Sequence, residues 1–194
     1  MEEELNWVRL GIHVGGSLVP LLDLTLGRIF VYITLLMLAA GYTVSELLRS
    51  EGYTVAVIHW ITSASSRRGE MEGFVTTPLY LAAGILATLA LFPPQAAYMA
   101  VLLITLGDGL AELFGRGIGR SRIPFNREKA WEGTFFGFGL TGVLLHLLGV
   151  DPVVAIPSTL AAAVFEALPL PVNDNLTVPL IAGSIAAATS TFLV

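Results

Sequence analysis

The sequence predicts an all-α, polytopic integral membrane protein folded as a single domain over residues 1–194. Of the 194 residues, 55% are hydrophobic and only 13% are charged, and the mean hydropathy is +0.77. Soluble domains carry about 25% charged residues, so this composition excludes an ordinary soluble enzyme. The apolar residues form long runs separated by short polar stretches, which indicates several membrane-spanning helices. The chain has no cysteine, which excludes disulfides and thiol chemistry.

About seven runs are apolar enough to predict membrane-spanning helices, since a span needs about 20 residues. The first run is short and carries Arg9 and His13. The third and the sixth runs end at prolines. Residues 53–66 are apolar but too short, and they predict an interfacial amphipathic helix that ends at Arg67 and Arg68. The seven predicted spans are residues 7–24, 28–48, 74–92, 95–114, 134–148, 152–168 and 175–194.

The basic residues predict the orientation of these helices. With seven spans, nine of the ten Lys and Arg residues fall on one side, and Arg28 is the exception. Cytoplasmic loops are enriched in Lys and Arg, so this side is predicted to be cytoplasmic. If residues 53–66 also span the bilayer, the number of spans becomes even, and the loops before and after this segment fall on opposite sides of the membrane. The same side collects most of the unusual polar residues, as one active site would require: Arg9, His13, Glu70, Glu72, Asp108, Glu112, Glu132, Glu166, Asp174 and Asn175.

Asp108 and Glu112 lie in the fourth predicted span, four residues apart, and therefore on one face of a helix. Like charges at this spacing repel each other, and acidic residues within a membrane usually mark a functional site. We therefore predict a cation site, and Mg²⁺ fits because it needs few carboxylates beside phosphate oxygens and water. The alternative is a structural pair neutralised by Arg116 on the same face.

A glycine-rich basic loop follows this acidic pair. Its glycines expose backbone N–H groups to an anion, and its cations neutralise phosphate. No predicted strand precedes the loop, so it is neither a Rossmann fingerprint nor a P-loop. The alternative is an ordinary cytoplasmic loop. The predicted phosphate-binding residues in and after the loop are Arg116, Gly117, Gly119, Arg120, Lys129, Glu132 and Gly133.

Four further polar residues are predicted to serve the site. Asp174 and Asn175 open the last helix, where an Asp-Asn pair is ordinarily an N-cap. On the polar side they are also candidates for binding a metal or orienting a hydroxyl, and Asn175 is in addition predicted to bind the nucleotide phosphates. His13 follows Arg9 by one helical turn, and its alternative is a packing hydrogen bond. Arg68 is a candidate phosphate ligand, or else a contact to lipid headgroups.

Three sequence blocks carry a family resemblance. The runs GDGLAELFGRGIGRSRIP and KAWEGT resemble a signature of CTP-using membrane lipid enzymes, shared by polyprenol kinases and phosphatidate cytidylyltransferases. The stretch from Arg9 to His13 is similar to the Arg-Lys-x-x-His start of the kinases, and residues 174–180 are similar to their C-terminal motif. The Asp-Arg-x-Asp ending of the cytidylyltransferases is absent, which favours the kinases. Ala130 departs from the pattern, because Ser or Thr often follows the lysine.

The resemblance implies transfer of the γ-phosphoryl group of CTP to a membrane isoprenoid alcohol of the dolichol, phytol or geranylgeraniol type. It implies Mg²⁺ held by Asp108, Glu112 and Asp174, with Asp174 as the first and His13 as the second candidate for the acceptor hydroxyl. The expected partners are CTP, the lipid alcohol and the bilayer, without nucleic acid. The lipid chain is expected to approach beside Gly137, Gly139 and Gly142.

Three alternatives remain open from the sequence. A phosphatidate cytidylyltransferase would release pyrophosphate instead of CDP, and a CTP-dependent diacylglycerol kinase would differ only in its acceptor. An ion transporter could use Asp108 and Glu112, but it would be expected to contain inverted repeats, and the sequence has none.

Overall fold

A computed structural model describes residues 7–66 and 70–193, and the predicted site residue Arg68 lies outside these ranges. The described residues are almost entirely helical, with one small hairpin. The helices are α1 (Trp7–Gly16), α2 (Val19–Leu26), α3 (Arg28–Ser50), α4 (Ala56–Ser65), α5 (Thr77–Leu91), α6 (Pro94–Leu102), α7 (Asp108–Gly117), α8 (Trp131–Leu147), α9 (Pro152–Ala167) and α10 (Asp174–Ser190). The hairpin strands are β1 (Arg122–Ile123) and β2 (Asn126–Ala130).

The predicted all-α membrane class is confirmed. Within the described ranges, three helical stretches are long and apolar enough to cross a bilayer, namely Arg28–Ser50, Pro94–Gly117 and Asp174–Leu193. Helix α3 exposes Ile29, Ile33 and Met37, which would be costly in water but match a lipid-facing surface. The shorter apolar helices α5 and α9 have 15 and 16 residues, so the number of spans stays a prediction.

The first predicted span is wrong as a single helix. Residues 7–24 form two helices, α1 and α2, which are separated at Ser17 and Leu18. Pro20 stands in the first turn of α2, and a proline there lacks the backbone N–H that would continue the hydrogen bonding of α1. Residues 53–66 do contain the predicted short helix, α4, which has only ten residues.

The stretch Pro94–Gly117 contains a π-helical turn at Leu103–Gly107, between α6 and α7. Its residue Thr105 donates a side-chain hydrogen bond to the carbonyl oxygen of Val101 at 2.7 Å. Such π turns occur frequently at functional sites, where they redirect the residues that follow. Here the residue that follows is Asp108, the first residue of α7.

The loop after α7 contains a hairpin that the all-α prediction did not include. Strands β1 and β2 are antiparallel, with Arg122 opposite Ala130 and Ile123 opposite Asn126. Ile123 is fully buried, so the hairpin is packed onto the helices. These two short strands are rich in charged residues and show little hydrophobic periodicity, which is why no strand was predicted there.

Glycines bring α7 and α8 into close backbone contact. A Cβ atom at Gly133 would lie 2.8 Å from the Cα of Gly115, and one at Gly137 would overlap the backbone of Ala111 and Gly107. Small residues four apart on facing helices allow this approach within a membrane. Gly137 is thus occupied by α7, and the expectation that it leaves room for a lipid chain is wrong. Gly139 has open space around it.

We predict that Gly137→Ala destabilises the protein while Gly139→Ala does not. The new methyl group at position 137 meets backbone atoms of α7, which cannot rotate away, and overpacking of this kind costs about 1–3 kcal/mol. At position 139 nothing lies within 4 Å, so the substitution only improves helix propensity. Thermal unfolding of both purified variants in detergent measures the difference. Equal losses of stability would contradict the described α7–α8 contact.

Candidate active site

Polar side chains from five elements meet at one end of the helix bundle, which we call the polar end. This end is formed where α7 and α9 finish and where α8 and α10 begin, with α1 packed against α7. Its charged or titratable residues, most of them deeply buried, are Arg9, His13, Asp108, Glu112, Arg116, Lys129, Glu166 and Asp174.

Glu112 is held between two arginines. Its carboxylate lies 3.0 Å from Nε of Arg9 on α1 and 2.8 Å from Nη2 of Arg116, one turn further along α7. The Glu112 side chain is only 14% exposed, so both cations are needed to stabilise its charge. The predicted neutralisation by Arg116 is present, and Arg9 adds a second partner from another helix.

Asp108 and His13 form the second contact between α7 and α1. Nε2 of His13 lies 3.5 Å from the Asp108 carboxylate, and both side chains are buried. The helices come this close because Gly109 has no side chain; a Cβ there would lie 3.1 Å from the Cβ of His13. The contact is too long for a strong hydrogen bond, which leaves Asp108 with capacity for another ligand.

Lys129 extends from the hairpin to two other helices. Its Nζ lies 2.7 Å from the carboxylate of Glu166 at the end of α9 and 2.9 Å from that of Asp174 at the start of α10. Burial alone would lower the pKa of Lys129, but the carboxylates of Glu166, Asp174 and Asp108 outweigh it and raise the pKa above its ordinary value. Lys129 is therefore a permanent cation at this position.

Glu166 was not among the predicted site residues, although it was placed on the correct side of the protein. Its side chain is only 4% exposed and also accepts a hydrogen bond from the Thr134 hydroxyl at 3.3 Å. The signal that identifies it is an acidic residue near the end of an apolar helix, which is rarely tolerated without a function.

Other predicted phosphate ligands lie around the hairpin. The carboxylate of Glu132 accepts a hydrogen bond from the backbone N–H of Ser121 at 3.0 Å, and backbone donors lower its pKa. Arg120 and Gly117 are exposed, whereas Gly119 packs against the carbonyl oxygen of Gly115. Gly133 is in the α7–α8 contact described above. Phosphate binding by these residues stays a prediction.

The three predicted metal ligands do not form one metal centre. Within residues 7–66 and 70–193, no group of three His, Asp or Glu side chains is arranged to hold a metal ion. Glu112 is paired with two arginines and Asp174 is paired with Lys129. Metal binding by these two residues and Asp108 stays a prediction. A Mg²⁺ ion that carries a nucleotide needs only one or two carboxylates, and Asp108 fits that smaller role.

Comparison with known proteins gives relatives of one kind. The chain is 29% identical to Phytol kinase 1, chloroplastic, of Arabidopsis thaliana over 148 residues, which covers 66% of this chain and 48% of that protein. It is 30% identical to Probable phytol kinase 1, chloroplastic, of Oryza sativa subsp. japonica (62% and 44%) and 29% identical to Probable phytol kinase, chloroplastic, of Zea mays (62% and 46%).

The chain thus spans about half the length of the curated relatives it matches. No protein-family model and no solved structure matches it. These relatives confirm the resemblance to the polyprenol kinase family that the sequence blocks indicated.

We predict that Lys129→Met destabilises the protein by about 3–5 kcal/mol, because it leaves two largely buried carboxylates without their cation. Adding Glu166→Gln should recover part of this loss, since it removes one of the uncompensated charges. The control is Arg122→Met on the same hairpin, an exposed residue with one long hydrogen bond to the Glu128 carbonyl oxygen. Chemical unfolding monitored by circular dichroism measures all three. A Lys129 variant as stable as the control would contradict the described ion pairs.

Proposed function

We propose that this chain is a multi-pass membrane kinase that transfers the γ-phosphoryl group of CTP to an isoprenoid alcohol, with its polar end facing the cytoplasm. The observation that carries the proposal is the position of Lys129, which joins a basic hairpin to a group of buried carboxylates beside His13. The phytol kinases among its relatives support an isoprenoid alcohol as acceptor. The choice of CTP comes from the resemblance of the three sequence blocks.

The charges at the polar end suit a triphosphate accompanied by a divalent cation. Arg9 and Arg116 both pair with Glu112, and Lys129 pairs with two carboxylates, those of Glu166 and Asp174. The Asp108 carboxylate lies beside His13, so carboxylates outnumber the arginine and lysine cations of the cluster by four to three. A polyphosphate would be repelled by this cluster unless a metal ion accompanied it. Mg²⁺ would be held by Asp108 and would neutralise charge on the phosphate oxygens during transfer.

The phosphates themselves are assigned to the hairpin side of the cluster. Arg116 presents a planar guanidinium group that can bind two phosphate oxygens at once, and Lys129 presents a point charge. Arg120 is exposed at the end of the glycine-rich loop, where it can reach the outer phosphates. Phosphoryl transfer requires mainly this positioning and charge neutralisation, with little covalent chemistry by the protein.

In the proposed reaction, the oxygen of the lipid hydroxyl forms a bond to the γ-phosphorus. The bond from that phosphorus to the oxygen bridging the β- and γ-phosphates breaks, and CDP leaves. The hydroxyl proton moves to the carboxylate of Asp174, which Lys129 positions through their 2.9 Å contact. His13, which faces Asp108, is the second candidate for the proton acceptor.

We predict that label on the γ-phosphate of CTP appears in the lipid product when the purified protein is incubated with Mg²⁺ and geranylgeraniol or phytol. Label on the α-phosphate should stay in the released CDP. The products are separated by thin-layer chromatography. Transfer of α-label to phosphatidate would support a cytidylyltransferase, and γ-label on diacylglycerol alone would support a diacylglycerol kinase. Either outcome would overturn the proposed acceptor.

We predict that Asp108→Asn lowers kcat by at least about 10²-fold, the scale of a lost electrostatic contact to the transition state. The amide keeps the size of the side chain but removes its charge. The control is Asp151→Asn, because Asp151 is an exposed N-cap of α9 and asparagine also caps helices. Steady-state assays at saturating Mg²⁺ compare the two variants. Wild-type turnover by Asp108→Asn would exclude a catalytic role for this carboxylate.

A further inference from the structure

A small pocket lies between α1, the start of α5 and the start of α10. We call it the α1–α5–α10 pocket. Its apolar lining includes Ile12, Val75 and Leu81, and its polar lining comes from Arg9, His13, Ser66, Thr77 and Asn175. The reaction as proposed above makes no use of this pocket or of the Asn175 side chain.

Two buried polar residues at this pocket have side-chain atoms without a hydrogen-bond partner in the described part of the chain. The Asn175 side chain is 1% exposed, yet neither its amide nitrogen nor its amide oxygen has a hydrogen-bond partner among the described residues. Nδ1 of His13, in a residue that is 2% exposed, also has none within those ranges. Leaving a buried donor or acceptor unsatisfied costs about 1–3 kcal/mol, so native proteins rarely retain such groups without a use.

The chemistry of these groups selects a neutral ligand. The charge of Arg9 is already balanced by Glu112, and Nε2 of His13 faces Asp108, so the pocket offers little excess charge to an ion. Its unsatisfied groups are the Asn175 amide donor, the Asn175 amide acceptor and one imidazole nitrogen of His13. The other polar residues of the lining, Ser66 and Thr77, carry uncharged hydroxyl groups, and the rest of the lining is mainly apolar. A single hydroxyl group on a hydrocarbon chain is complementary to this combination, because it both donates and accepts one hydrogen bond.

We propose that the α1–α5–α10 pocket binds the head of the acceptor alcohol, with its hydroxyl group bonded to the Asn175 amide and to Nδ1 of His13. The first carbons of the chain then lie against Ile12, Val75 and Leu81. This proposal rests on the proposed kinase function and adds the location of its acceptor. Asn175 is therefore a substrate-positioning residue. This role agrees with one of its two sequence-based predictions, that it orients a hydroxyl group, and replaces the other, that it binds phosphate.

The position of the pocket suits the reaction. Asn175 directly follows Asp174, the proposed proton acceptor, and His13 contacts Asp108, the proposed metal ligand. A hydroxyl group held between Asn175 and His13 thus lies next to both groups. The hydrocarbon chain would leave past the apolar lining residues Ile12 on α1 and Leu81 on α5.

The walls of the pocket are fixed by contacts from α3 and α5. The Val75 backbone N–H donates to the Glu46 carboxylate at 3.1 Å, and its carbonyl oxygen accepts from the Tyr42 hydroxyl at 2.9 Å. Gly84 allows α5 to touch the carbonyl oxygen of Asn175, since any side chain at Gly84 would overlap that oxygen. The pocket is therefore formed before the alcohol binds, which reduces the entropy lost on binding.

The first test compares Asn175→Leu with Thr88→Val. Both replace a buried polar group that has no partner in the described structure by an apolar group of similar shape, but Thr88 does not line the pocket and lies near the far end of α5. Neither variant should be less thermally stable than the wild type, because removal of an unsatisfied group is neutral or stabilising. Only Asn175→Leu should raise KM for geranylgeraniol, by about tenfold, with KM for CTP unchanged.

The second test does not depend on activity. Geranylgeraniol that carries a photoreactive diazirine beside the hydroxyl group should label peptides containing Ile12, Val75 or Leu81 in the full-length protein in nanodiscs. Unlabelled geranylgeraniol should compete, whereas the hydrocarbon without the hydroxyl group should not. Asn175→Leu should lose the labelling and Thr88→Val should keep it.

The two tests separate the two proposals. An inactive wild type that is still labelled in the pocket would overturn the kinase proposal and leave the alcohol site standing. An active wild type that is labelled elsewhere, or whose KM for the alcohol is unchanged by Asn175→Leu, would overturn the pocket. A loss of thermal stability in Asn175→Leu alone would assign Asn175 a structural role and also overturn it.

Discussion

The arrangement of the polar end depends on the ion pairs of Lys129. This side chain belongs to the hairpin, yet it contacts the last turn of α9 and the first turn of α10, so it joins three parts of the chain at one point. Each partner carboxylate would be expensive to bury alone, and the three groups are stable there only together. The ammonium group thereby fixes where the basic loop lies relative to the acidic residues of the helices.

Close helix packing supplies the scaffold for this charge cluster. Within lipid, burying apolar side chains does little to stabilise helix association, because the lipid is equally apolar. Helices therefore associate largely through close packing, which small residues allow. Glycines at positions 133 and 137 place the start of α8 against the end of α7, and Gly109 places α1 against α7. These contacts bring the acidic face of α7 towards Arg9 and His13 on one side and towards the hairpin on the other.

The polar end therefore has two faces with different chemistry. The hairpin face combines arginines, a lysine and carboxylates, and it is assigned to the nucleotide phosphates and their metal ion. The α1–α5–α10 pocket is neutral and largely apolar, and it is assigned to the alcohol. His13 lines the pocket and lies 3.5 Å from Asp108, and Asn175, which also lines the pocket, directly follows Asp174. The two proposed binding sites are therefore adjacent.

The sequence by itself determined the all-α membrane class, because the length and spacing of apolar runs are local properties. It also predicted Asp108, Glu112, Lys129 and Asp174 as candidate site residues, since charges within or beside apolar helices are conspicuous. It could not determine their partners. Lys129 meets Glu166 and Asp174, 37 and 45 residues further along the chain, and such pairing follows only from how the helices pack. The hairpin, the break at Ser17 and the unpartnered amide of Asn175 were likewise decided by tertiary structure, because burial and missing partners are properties of the folded chain.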